Sequence, residues 1–119
     1  MSYDGVWVYE ILGPGGWQPA GTLVLNSERA VGAHSDCYFR GTYAVRDDAI
    51  TISLTVWFYW VPPPLFECTG HELRLKIQAT RTRHLATGIL HRPDKPGLSL
   101  QVRLTRRAAL PSGLLAYCD

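Results

Sequence analysis

The chain has 119 residues, of which 46% are hydrophobic, 11% aromatic and 18% charged. This composition excludes an intrinsically disordered or collagen-like chain, and the length predicts one domain, residues 1–119, that buries a sizeable core without metal or disulfide support. Three cysteines, Cys37, Cys68 and Cys118, show no C-x-x-C spacing, so we expect reduced thiols rather than a disulfide framework.

Charge is unevenly distributed along the chain, although the formal net charge is only +2. Residues 1–73 hold eight acids and three arginines, whereas residues 74–107 hold nine basic residues and one acid. Because the total is near neutral and the sequence lacks the aromatic–basic interleaving of RNP or OB motifs, a nucleic acid is not an expected partner.

The chain shows no targeting or membrane-spanning signal. Its N-terminus lacks the basic and apolar regions of a secretory signal. The longest apolar run, residues 56–65, carries three prolines and is about half as long as a spanning helix requires. We therefore expect a cytoplasmic protein without a membrane partner.

In chain order, almost every segment alternates between apolar and polar residues with a period of two, which predicts strands. Gly13-Pro14-Gly15-Gly16 is expected to end the first strand, and Pro62-Pro63-Pro64 is expected to end the long fifth one. The eight predicted strands are residues 5–12, 21–25, 30–33, 37–45, 49–61, 73–79, 84–91 and 98–105.

Eight strands joined mostly by short links predict an all-β fold, an eight-stranded antiparallel up-and-down β-barrel of the lipocalin or calycin type. The Gly5-Val6-Trp7 segment resembles the opening of lipocalin and avidin barrels, in which the tryptophan closes one end beneath a late-strand basic residue. Arg103 or Arg106 is the candidate for that contact. A barrel of this size is either filled by side chains or holds one small ligand.

Two groups of apolar residues are candidate binding positions. Trp57, Tyr59, Trp60 and Phe66 form a dense aromatic set that either builds a homodimer interface or is covered by the proline-rich loop. A cavity for a small apolar ligand would be lined by residues on alternating strand positions: Trp7, Tyr43, Ile52, Leu54, Val56 and Phe58.

Catalytic and metal-binding patterns are absent from the sequence. There is no nucleophile elbow, P-loop or dinucleotide fingerprint, so we expect no enzymatic activity and no cofactor. The segments at residues 34–37 and 68–71 contain histidine and cysteine, but neither spacing matches a structural zinc site, so no metal is expected.

Several short motifs occur in an order that resembles a known family. Asp4-Gly5 opens the first strand, Gly41-Thr42-Tyr43 follows an aromatic residue, and Asp47-Asp48 precedes the long strand. Over residues 3–64 the chain is similar to the GrlR-type negative regulators of bacterial type III secretion.

The resemblance implies a dimeric, lipocalin-like barrel that sequesters a transcriptional activator through an acidic loop between the fourth and fifth strands. That loop reads Glu-Asp-Glu-Asp in the family. It corresponds here to residues 45–48, where Asp47 and Asp48 are acidic and Arg46 reverses one charge. Arg46, Asp47 and Asp48 are therefore the expected partner-binding residues. The alternative function is that of a carrier or sensor, which holds a small apolar ligand inside the barrel.

Overall fold

The structure is a computed structural model that describes residues 3–68 and 70–110. Eight strands and one short 3₁₀ turn, Pro64–Phe66, account for most of the described residues. The strands are β1 Gly5–Gly13, β2 Gly16–Asn26, β3 Arg29–His34, β4 Cys37–Arg46, β5 Ala49–Phe58, β6 Glu72–Thr82, β7 Leu85–Arg92 and β8 Lys95–Ala108.

Each strand pairs with the next in antiparallel orientation, and β8 pairs with β1 to close the barrel in the order β1-β2-β3-β4-β5-β6-β7-β8. This arrangement confirms the predicted all-β, eight-stranded up-and-down barrel. Most connections are two-residue turns. In the β2–β3 turn, Ser27 and Glu28 both have positive φ, as the type I′ turns of tight hairpins require.

Most strands differ from the predicted ranges by a few residues; β2 and β8 are extended the most, and β5 is shorter than predicted. β2 begins at Gly16 rather than Gly21, because Pro19 lies at a bulge opposite Glu10, where the lack of a backbone N–H is tolerated. β8 begins at Lys95, and only Pro93 and Asp94 form the preceding turn. β5 ends at Phe58, three residues before the predicted end.

The alternating pattern places one face of every strand in a continuous core. From β5 the core receives Ile50, Ile52, Leu54, Val56 and Phe58, as the alternation predicts. Trp60 continues the same alternation in sequence, but it lies beyond the end of the strand and is 65% exposed.

Glycines allow the sheet to close tightly around Phe39, which is fully buried. A Cβ on Gly21 would lie 2.9 Å from the Phe39 ring, and a Cβ on Gly32 would lie 2.5 Å from it and 2.0 Å from the Thr22 carbonyl oxygen. The ring therefore fills space that neighbouring strands leave empty because they carry no side chain there.

One end of the barrel is closed by an aromatic pair, and we call it the closed end. Trp7 stacks on Tyr3 at 5.9 Å between ring centroids, and its indole N–H donates to the Tyr3 carbonyl oxygen at 2.8 Å. The cation over both rings is Arg81, at 5.3 Å from Trp7 and 4.7 Å from Tyr3. The expected partners make other contacts: Arg106 pairs with Trp7 across the β1–β8 ladder but donates to the Asp4 carbonyl oxygen, and Arg103 donates to the Glu10 carboxylate on the outer face.

Candidate functional site

The opposite end of the barrel, which we call the mouth, contains a cavity of about 220 Å³. The start of β4, the end of β5 and the middle of β6 contribute Cys37, Phe58 and Leu75 to its wall. Val56 and Ile11 extend this apolar wall into the barrel. Because the exposed residues Gln18 and His34 also line it, the cavity communicates with solvent at the rim.

A lid, residues 59–67, covers the cavity. The lid buries Phe66, whose ring packs against Phe58 at 6.1 Å between centroids, and it adds Pro63 and Leu65 to the lining. β5 has already ended at Phe58, before the three prolines, which instead direct the chain back across the mouth. From the sequence, one alternative is that the proline-rich loop covers the aromatic set. In the structure this loop covers the mouth of the barrel instead.

Arg92 holds the lid closed from the end of β7. Its Nη1 donates to the carbonyl oxygens of Phe66 at 3.0 Å and Glu67 at 2.9 Å. Nε and Nη2 donate to the Asp94 carboxylate, which lowers the pKa of Asp94 through the hydrogen bond. A second ion pair, Lys95 with Glu67 at 2.9 Å, joins the lid to the start of β8. The side chain of Arg92 is only 12% exposed and its bond to the Phe66 carbonyl oxygen is partly buried, whereas its bonds to Glu67 and Asp94 lie at the surface.

Two titratable groups line the cavity in their neutral forms. Burial, together with the nearby Asp36 carboxylate, raises the pKa of the Cys37 thiol to about 12. The Tyr9 hydroxyl is fully buried, and burial is the main cause of its raised pKa. A phenol and a thiol that stay protonated at neutral pH supply hydrogen-bonding groups without placing a charge in the apolar wall.

The residues predicted for the cavity divide into two groups. Val56 and Phe58 line it. Trp7, Tyr43, Ile52 and Leu54 are buried toward the closed end, where side chains fill the barrel. Sequence reasoning did not identify Tyr9, Cys37 or the lid residues. The alternation of β1 shows that Tyr9 shares a face with Trp7 and Ile11, but nothing local indicated that the lid would leave space beneath it.

Three of the four residues predicted for a dimer interface lie on the outer surface. Trp57 stacks on Tyr38 at 5.1 Å, Tyr38 stacks on Tyr59 at 5.9 Å, and Trp60 meets Tyr59 edge to face. We call these four rings the aromatic ladder. Tyr59 is 52% exposed and Trp60 is 65% exposed. Phe66, in contrast, is buried within the lid and is not part of this surface.

The predicted partner-binding loop lies at the closed end, far from the cavity in the fold. Asp47 and Asp48 form the two-residue turn between β4 and β5, and both are exposed, as is Arg46. The Asp48 carbonyl oxygen accepts bonds from the Arg81 backbone N–H at 2.8 Å and from the Tyr3 hydroxyl at 2.7 Å. These bonds fix the turn. Both Arg81 and the Asp48 carboxylate act on the pKa of Tyr3, so the acidic turn lies beside a cation.

In residues 3–68 and 70–110, no three or more His, Cys, Asp or Glu side chains lie close enough together to hold a metal ion. The described part of the chain also contains no helix that is long and apolar enough to cross a membrane.

No protein-family model matches this chain, and no curated protein matches it significantly. The resemblance to GrlR-type regulators therefore rests on the sequence motifs alone.

Proposed function

We propose that this barrel is a binding protein without enzymatic activity that holds one small, mostly apolar molecule in the mouth cavity. The cavity beneath the lid is the observation that carries the proposal. An apolar protein cavity of about 150 Å³ binds benzene, so a space of about 220 Å³ suits a ligand of one or two rings or a short alkyl chain. The Tyr9 hydroxyl favours a ligand with one hydrogen-bonding group.

Filling the cavity tests this function. Because Ala20 lines the cavity, Ala20→Phe places a ring in the space that the ligand would occupy. Ala20 is only partly buried, so the larger side chain does not have to enter the closely packed core. Ala44→Phe is the matched control, because Ala44 is exposed on β4 toward the closed end. We expect saturation-transfer NMR with phenol, indole, hexanoate and octanoate to show binding to the wild type and to the control, but not to Ala20→Phe. Equal signals from all three proteins, or none from the wild type, would refute the proposal.

A second candidate function is the regulatory one, in which the barrel forms a homodimer in the cytoplasm and sequesters a transcriptional activator. Two adjacent exposed carboxylates on a hydrogen-bonded turn support it, since such a pair attracts a basic partner surface. The exposed rings of Tyr59 and Trp60, beside the partly buried Trp57, support the dimer. Arg46 and Arg81 reduce the local negative field, so we place this function second.

Neutralising the turn tests the second function. Asp47 has a φ of 59°, a conformation that asparagine tolerates, so Asp47→Asn with Asp48→Asn removes both charges with little strain. We expect an unchanged circular dichroism spectrum and loss of a DNA-binding activator from the proteins that the tagged barrel captures in its source cell. Absence of a DNA-binding activator from the proteins captured by the wild type would contradict the regulatory function, and capture of the same activator by both proteins would show that the acidic turn is not its binding site. Neither outcome affects the ligand proposal.

A further inference from the structure

The outer face of β4, β5 and β6, which we call the β4–β6 face, carries rings and cations in adjacent rows. Register places Tyr38 opposite Trp57, and Trp57 opposite Glu72, in the row nearest the mouth. In the next row, Arg40 lies opposite Thr55, and Thr55 opposite Arg74. A third row joins Thr42, Ser53 and Lys76.

Positive charge dominates this face. Among the outward positions of β4 to β6 the only acid is Glu72, and its carboxylate accepts a bond from the Trp57 indole N–H at 3.0 Å. No salt bridge holds Arg40, Arg74 or Lys76 within the described residues, although Arg74 is close enough to Asp94 to help lower the pKa of that carboxyl. The guanidinium of Arg40 lies 5.5 Å from the centroid of the Trp57 ring.

The rows border a groove that runs along the outside of the barrel. On one side it is lined by Trp57, Arg40 and Arg74 together with the hydroxyl-bearing residues Thr42 and Thr55. On the other side β2 and β3 contribute Val24, Arg29 and Val31, Leu110 also lines the groove, and Lys76 lies beyond its edge. At the mouth end of the same face, Trp60 is the ring of the aromatic ladder with the most free surface, at 65% exposure.

We propose that the β4–β6 face binds single-stranded nucleic acid, a function beyond the ligand site in the mouth. Arg40, Arg74 and Lys76 would neutralise phosphates, while Thr42 and Thr55 donate hydrogen bonds to phosphate oxygens. Bases would stack on Trp60 and Tyr59, which lie outside the groove at the mouth end of the same face. We favour a nucleic acid over a second copy of this chain because of charge complementarity. Three cations attract phosphates and the exposed rings beside them stack on flat bases, whereas a second copy would bring the same positive charges against these cations.

From the sequence alone, a nucleic acid is not an expected partner of this chain. No short segment interleaves aromatic and basic residues, since Arg40, Trp57 and Arg74 are each separated by 17 residues in the chain. Strand pairing alone brings them together. The combination is therefore invisible to motif-based sequence reasoning.

Fluorescence anisotropy with labelled single-stranded DNA and RNA oligonucleotides of mixed sequence tests the proposal on the full-length protein. We expect saturable binding at low salt, weakened as salt rises with a logarithmic slope of about −2 if three phosphates are neutralised. Arg40→Gln with Arg74→Gln should weaken binding at least about tenfold at low salt. Trp60→Ala should weaken it by at least about fivefold. The tighter of the DNA and RNA arms identifies the natural strand.

Arg83→Gln with Arg107→Gln is the charge-matched control, because both arginines are exposed and lie outside β4 to β6. We expect this variant to bind like the wild type. The proposal fails if neither oligonucleotide binds at low salt, if both double variants lose affinity equally, or if a duplex of the same sequence binds as tightly as the single strands. It also fails if the wild type sediments as a dimer that Trp60→Ala converts to a monomer, because the ladder is then covered by a second copy.

Discussion

Replacing Phe39 with alanine is the most direct test of how the barrel is packed. The side chain is fully buried, and its ring meets Tyr9 edge to face at 5.4 Å between centroids. Phe→Ala substitutions in cores cost about 3–5 kcal/mol, with the larger values where the surroundings cannot collapse into the space. Gly21 and Gly32 face the ring and have no side chains to move into the cavity. We therefore expect a loss of about 4–5 kcal/mol.

Urea unfolding followed by tryptophan fluorescence and far-ultraviolet circular dichroism measures this loss. In thermal unfolding followed by the same signals, the melting temperature should fall by about 16–20 °C, at about 4 °C per kcal/mol for a chain of this length. Phe39→Leu keeps most of the buried volume and should cost less than half as much. Val31→Ala, at an exposed β3 position, should change stability by no more than about 0.5 kcal/mol. A loss below about 2 kcal/mol for Phe39→Ala would show that the glycine-lined space collapses, and would refute this account of the packing.

Three further predictions follow from the described contacts. Burial and the hydrogen bond to Asp4 raise the pKa of Tyr43 to about 12, so neutral Tyr43 stabilises the fold fully below about pH 10, its unfolded value. This contribution is lost as the pH rises through 12, and alkaline unfolding monitored by circular dichroism should be less steep in Tyr43→Phe. Cys37, buried and with a pKa of about 12, should react with iodoacetamide at pH 8 far more slowly than the partly exposed Cys68, as peptide mass mapping would show. Arg92→Ala removes two bonds to the lid and should increase the labelling rate of Cys37 several-fold.

Each of these predictions has an outcome that contradicts it. An unchanged alkaline transition in Tyr43→Phe would show that this hydroxyl does not titrate with unfolding. Rapid labelling of Cys37 in the wild type would mean that the lid does not shield the cavity. Labelling that stays slow in Arg92→Ala would assign closure of the lid to the apolar contacts of Phe66 rather than to Arg92.

The fold was largely predictable because strand alternation is a local property. In β5, the division of the residues between two faces follows from the sequence order alone, and the closed barrel follows from having eight such segments with short connections. The first half of β2 was missed because Pro19 and two adjacent glycines resemble a loop. Only pairing with β1 shows that Pro19 occupies a bulge.

The candidate site was only partly predictable. Val56 and Phe58 were expected in the cavity because they point inward near the end of a strand. The position of the cavity depends on the path of the lid, and that path depends on Arg92, which lies 25 residues beyond Glu67 in the chain. No pattern within either segment encodes this contact.

Taken by itself, the sequence determined the class of fold and which residues share one face of each strand, because these depend on neighbours two residues apart. The structure decided which of the two faces points into the barrel. Tertiary structure decided which end of the barrel is filled and which is hollow, since Trp7 meets Tyr3 and Arg81 at one end while the lid spans the other. It also decided the surface chemistry. Register across three strands places Arg40 and Arg74 beside Trp57, and a register arises only when distant segments pair.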